Sequence, residues 1–73
     1  MSYNGHPSYN YWNVALWIGN DEGLYRLALT CIRRNGTRRQ AAEEFRSRLD
    51  SDKTPDGAPW TVAAIQHGMR GLS

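Results

Sequence analysis

The stretch Tyr11–Ile32, YWNVALWIGNDEGLYRLALTCI, decides the fold. It holds two of the three tryptophans and most of the large aliphatic side chains. In its middle, Gly19-Asn20-Asp21-Glu22 reads as a break followed by a new helix start. Asn20 is the expected cap, accepting a bond from an orphan backbone N–H. Asp21 and Glu22 then fall in the first turn, where negative charge suits the helix dipole. Past the break, Leu24, Leu27, Ala28 and Cys31 recur at i, i+3, i+4, i+7, the spacing of a helical core stripe. Before it, Trp12, Ala15, Leu16 and Gly19 repeat that spacing. Two antiparallel helices joined by a short polar turn account for both stripes.

Working outward, a first helix is expected over residues 9–19, capped by Ser8 or Asn10. Trp12 and Leu16 are assigned to the core. Val14, Trp17 and Ile18 fall on another side, so the helix is apolar nearly all round, as a helix central to the domain or one partly covered by a partner is. The second helix should span 21–35 and stop at Asn35-Gly36, where glycine accepts a left-handed helix end. Thr37 caps a third helix over 38–50, with Ala41 or Ala42, Phe45 and Leu49 on its apolar edge. Residues 50–59 form a loop, since Pro-Asp-Gly is a turn signature. Pro59 then enters the first turn of a fourth helix over 60–70. That helix carries Val62, Ile65, Met69 and Leu72 on one side.

The expected architecture is all-α. It is a single small helical domain over 9–73, with three main helices plus a short N-terminal helix. A flexible N-terminal arm, residues 1–8, precedes it. The expected core is Trp12, Leu16, Leu24, Leu27, Ala28, Cys31, Phe45, Leu49, Ile65 and Met69.

Seventy-three residues make one domain, and so short a chain buries only about 60–65% of its unfolded surface. No apolar run approaches the ~20 residues needed to cross a bilayer, and no secretory signal is read at the start. The single Cys31 excludes an internal disulfide and a cysteine-rich zinc site. The acidic residues sit at helix starts, in salt-bridge positions or in the loop, and those places account for them. Cys31 and His67 are the only nucleophile–base pair on offer, and Cys31 lies on a core stripe, where a free thiol acts as a small hydrophobe. His6 and His67 lack metal-ligand spacing. The expectation is a non-enzyme with no catalytic residues, no metal and no cofactor, in the cytoplasm.

Binding is what remains. The net charge of +2 hides an uneven choice of cation: of the nine Lys and Arg residues, only Lys53 is a lysine. Arginine suits bidentate contact with carboxylate or phosphate. Arg33, Arg34, Arg38 and Arg39 form the cluster RRNGTRR around one tight turn. Arg33 and Arg34 sit well at a helix C-terminus, but Arg38 and Arg39 oppose the dipole of the helix they begin. These four arginines, with Tyr9, Tyr11 and Trp17 as aromatic anchors, are the expected partner-binding residues.

Two resemblances add context. The opening residues Tyr3, Asn4, Gly5, Trp12, Asn13, Val14, Leu16, Trp17, Asn20, Asp21, Glu22 and Gly23 carry a pattern. It resembles a group of small uncharacterised proteins of phages and mobile elements, a domain of unknown function. The resemblance implies an accessory gene acting in a bacterial host cell. Small helical proteins of that kind often block host defence, anti-CRISPR proteins among them, by stoichiometric contact. The expected partner is therefore a host defence complex, a CRISPR effector being the anticipated target, with no membrane involved; monomer and dimer stay open. The later residues Thr54, Pro55, Gly57, Trp60, Thr61 and Val62 resemble the helix-turn-helix-like DNA-binding segment of large serine recombinases. That resemblance implies the alternative, a DNA-binding regulator. In it Gln66, His67 and Arg70 face bases and Arg38 and Arg39 face phosphates.

Overall fold

The computed structural model describes residues 5–72. Met1–Asn4 and Ser73 lie outside the described residues, and with them half of the expected arm and the motif positions Tyr3 and Asn4. Four α-helices follow in order: α1 Tyr9–Asn20, α2 Glu22–Arg34, α3 Arg38–Ser47 and α4 Val62–Gly68. No strand occurs among the described residues, and an isolated antiparallel bridge pairs Lys53 with Pro59. The fold is all-α as expected, and the short helix of the four is the last.

The helix ends follow from local chemistry. Ser8 caps α1, its Oγ accepting from Tyr11 N–H. Asp21, not Asn20, is the hinge between the first two helices. Its backbone N–H donates to Trp17 O and closes α1, while its Oδ1 accepts from Leu24 N–H at 3.0 Å and opens α2. A carboxylate at that spot satisfies an orphan donor and complements the dipole together. The α2 stop also differs from expectation. Asn35 is extended, and its Nδ2 donates to Cys31 O at 2.7 Å. A side chain thus takes the orphan carbonyl, with no left-handed glycine at Gly36. Thr37 caps α3 as expected, accepting from Gln40 N–H.

α3 ends at Ser47, three residues before the expected limit, and a connector runs to Thr61. Gly57 has φ +91, so the Pro-Asp-Gly turn uses glycine where other residues are strained. Pro59 and Trp60 belong to this connector and not to a helix. Pro59 sits in the bridge to Lys53, and Trp60 N–H donates to Asp52 O. Thr61 is the N-cap of α4, accepting from Ala64 N–H at 3.1 Å.

The core is Val14 and Ile18 of α1, Ala28 and Cys31 of α2, Ala41, Ala42 and Phe45 of α3, Trp60, and Ala64, Ile65 and Met69. Phe45 and Trp60 meet with ring centroids 5.7 Å apart. Leu24, Leu27 and Leu49 are half-buried at its margin. Trp12 and Leu16, expected in the core, are also half-buried but line a shallow hollow with His6, Ala15 and Gly19 on the outer side of α1. The inward face is instead Asn13, Val14 and Ile18.

Buried Asn13 explains that rotation. Its Oδ1 accepts from Thr54 Oγ1 at 2.6 Å, and its Nδ2 donates to Asp56 Oδ2 at 2.9 Å. Trp17 Nε1 donates to the same carboxylate oxygen at 3.0 Å. Thr54 Oγ1 in turn accepts from Ala58 N–H. A buried carboxamide must find partners, and only this orientation of α1 supplies them. The two donors hold the Asp56 carboxyl below the usual carboxylate range, Asn13 first and Trp17 second.

Candidate functional site

The antiparallel path of α2 and α3 sorts the charges. The C-terminus of α2 and the N-terminus of α3 share one end of the molecule, which brings Arg33, Arg34, Arg38 and Arg39 together. The end of α4 joins them. Leu72 lines a hollow with Ile32, Asn35, Gly36, Thr37 and Arg38, and Arg70 lines another that also contains Arg38. At the other end, Asp21 and Asp50 line one open hollow of about 500 Å³ that also holds Arg48 and Lys53. Asp52 adjoins Asp50 there. The protein therefore has an arginine-rich pole and an end where acidic side chains gather.

The arginines of the pole are not equivalent. Arg34 Nε approaches Glu44 at 3.5 Å, and Arg39 Nε approaches Glu43 at 3.6 Å. Glu44 also accepts from Asn35 Nδ2 at 2.8 Å and from Arg48, contacts that hold its carboxyl below the usual range, the Asn35 bond foremost. Arg33, Arg38 and Arg70 are exposed and have no ion pair among the described residues. For Arg38 this is locally unfavourable, because a cation in the first turn opposes the helix dipole by a few tenths of a kcal/mol.

At the arginine-rich pole lies a groove of about 310 Å³, lined by Pro7, Tyr11, Arg38, Ala63, Gln66, His67 and Arg70. Three helices and the N-terminal segment contribute to it. His6 Nδ1 and His67 Nε2 are 2.8 Å apart and share a hydrogen bond, which fastens the segment before α1 onto α4. The Tyr11 ring lies against His67, centroids 5.1 Å apart. Burial, then His6, then Arg70 push the His67 imidazole below its ordinary value of 6.5. His67 is accordingly neutral at pH 7, and the charge of the groove comes from Arg38 and Arg70.

The structure thus brings together Arg38, Gln66, His67 and Arg70, and it adds Tyr11. Arg39 is turned to Glu43. Trp17 packs against the core and bonds Asp56 beside the hollow that holds Asp21, Asp50 and Arg48, and it does not line the groove with Arg38 and Arg70. Tyr9 is 44% exposed and its ring lies against Trp12. Pro7 and Ala63 were missed by sequence reasoning; neither has chemistry that would single it out. Cys31 is fully buried, and burial pushes its thiol up, with Glu44 adding to the effect. No cluster of three or more metal-ligating side chains occurs among the described residues, and no helix there is long and apolar enough to cross a membrane.

The chain belongs to DUF7249, a family of unknown function whose model matches residues 1–72. Neither the curated proteins nor the solved structures contain a significant match to it.

Proposed function

We propose that this protein is a non-enzymatic binding protein that docks an acidic surface of a protein partner through its arginine-rich pole. The partner is a host defence complex, a CRISPR effector among the candidates, and the docked protein inhibits it stoichiometrically in the cytoplasm of a bacterial host. The observation that carries the docking surface is the gathering of Arg33, Arg38 and Arg70, all without ion-pair partners among the described residues, on one pole. Unpaired arginines beside an aromatic ring have the composition of an interface anchor. The inhibitory role rests on the motif resemblance of the N-terminal half.

A second reading, DNA binding, is favoured by one observation: Arg38, Gln66, His67 and Arg70 line a single groove. One feature favours the protein partner over it. Helix-turn-helix units join their helices by a 3–4-residue turn, whereas here α3 ends at Ser47 and α4 begins at Val62.

The test is a phage-plating assay in cells with an active CRISPR effector. The wild type should restore plating, and a variant carrying Arg33→Gln, Arg38→Gln and Arg70→Gln should not. Failure of the wild type against a panel of defence systems would overturn the inhibitory role. Tight duplex binding whose affinity falls steeply with salt would replace it with the DNA reading.

A further inference from the structure

We infer that the groove between Tyr11, Arg38, Gln66 and Arg70 is a carboxylate-binding site that takes an aspartate or glutamate side chain from an acidic segment of the protein partner. The inference rests on the protein-partner reading above and gives the arginine-rich pole a centre.

Four features of the groove support it. First, its cations are available: Arg38 and Arg70 have no ion pair among the described residues, whereas Arg34 and Arg39 on the same pole already face Glu44 and Glu43. Second, no acidic side chain among the described residues lines it, so an incoming carboxylate meets complementary charge there. Third, the polar groups converge from different elements: Arg38 opens α3, Gln66 and Arg70 come from α4 and the turn after it, and Tyr11 comes from α1. Two guanidinium forks and a carboxamide N–H₂ offer the planar donor array that carboxylates bind bidentately. Fourth, the walls are fixed. The His6–His67 bond holds the segment carrying Pro7 against α4, and Tyr11 is braced on the His67 ring. Ala63, the smallest side chain in the lining, leaves room between them. Arg38 sits at an unfavourable helix position without local compensation, and a residue placed against local preference answers to something outside the helix.

The experiment uses the full chain and a fluorescein-labelled peptide of alternating Glu and Gly, beside its Gln–Gly counterpart. Fluorescence anisotropy should show binding of the Glu peptide and not of the Gln peptide. Arg38→Gln and Arg70→Gln should each weaken binding about 10-fold or more, as the loss of a charge-assisted hydrogen bond does. Gln66→Ala, which leaves the net charge unchanged, should weaken it about 3-fold or more. Arg26→Gln, near the start of α2 and paired with Glu22 outside the arginine-rich pole, should leave it within about 2-fold. Melting temperatures of all four variants check that folding is intact. If Arg26→Gln weakens binding as much as Arg38→Gln, the peptide responds to net charge alone and the groove is not a site. If the wild type does not bind the Glu peptide, the inference is overturned, and the plating assay with the triple variant separately decides the docking function.

Discussion

Replacing Asn13 by alanine should cost this domain a large part of its stability. The side chain is fully buried and bonded at both ends, to Thr54 at 2.6 Å and to Asp56 at 2.9 Å. Truncation leaves the buried Thr54 hydroxyl without an acceptor, a penalty of about 1–3 kcal/mol. The Asp56 bond is partly replaced by water and contributes a few tenths of a kcal/mol. The void left by the carboxamide adds about 0.5–1 kcal/mol. The sum is about 2–4 kcal/mol, against a total of about 4–11 kcal/mol expected for a domain this size. The melting temperature should fall on the order of 10–25 °C.

The cause can be isolated with a double-mutant cycle. Thr54→Val deletes the hydroxyl that Asn13 serves, together with its bond to Ala58 N–H. In the Asn13→Ala background that hydroxyl is already unsatisfied, so its removal should cost about 1–2 kcal/mol less than in the wild type. Urea denaturation followed by far-UV circular dichroism gives all four corners. Additive effects within about 0.5 kcal/mol would refute the reasoning, because they would mean that Asn13 acts through volume alone and does not fix the connector.

Three further outcomes follow from the packing. Gly68→Ala should destabilise by about 1–3 kcal/mol despite alanine's better helix propensity. A Cβ there meets Ile18 Cδ1 at 3.0 Å and the Ala15 Cα at 3.3 Å; a stabilised variant in thermal melts would show that α1 and α4 have slack. Leu27→Ala should cost about 1–3 kcal/mol, at the low end of core truncations because the side chain is half-buried; an unchanged urea midpoint would remove it from the core margin. Stability should also fall as pH drops below 6.5, the ordinary value of His67. Its folded value is depressed, so the unfolded chain binds the proton more readily and stability is gained with rising pH. His6, Arg38 and Arg70 surround it, with no acidic side chain among the described residues lining the groove. His67→Gln should flatten the slope in urea melts at several pH values, and an unchanged slope would assign it to other groups.

Much of the architecture was legible because its signals were local. The Asp-Glu start of α2, the Thr37 cap, the Pro-Asp-Gly turn and the stripe ending in Ala28 and Cys31 need only neighbouring residues. The phase of α1 was not. A helix carrying Trp12, Val14, Leu16, Trp17 and Ile18 offers an apolar face in almost any direction, so periodicity does not choose one. The choice was made by Asn13, a polar residue with a partner 41 positions away. The same limit applied to Trp60. Pro59 before it read as entering a helix over 60–70, but the bridge from Lys53 to Pro59 keeps the chain extended until Thr61 caps α4. In the candidate site, the arginine cluster was visible as a run, and the division of labour within it was not. Glu43 and Glu44 claim Arg39 and Arg34, and only the fold puts Arg70 beside Arg38.

The two motif-bearing halves are one interlocked unit, and that constrains where a partner can bind. Asn13 and Trp17 of the first half hold Thr54 and Asp56 of the second, and Ala15 packs closely on Gly68. Separated, each half would expose the apolar surface that the other covers and leave the Asn13–Thr54 pair unmade. The inner side of α4, with Ala64, Ile65 and Met69, is spent on this packing. What α4 presents outward is Ala63, Gln66 and the edge of His67, with Arg70 just beyond, and these are the residues that meet Tyr11 and Arg38 in the groove. A helix committed to the core along one side, seven residues long, reaches about 10 Å. It lacks the free length of a reading helix and has the dimensions of one wall of a pocket. The packing that fixes the fold thus leaves the outer side of α4 on the groove at the arginine-rich pole, the surface proposed to take the partner.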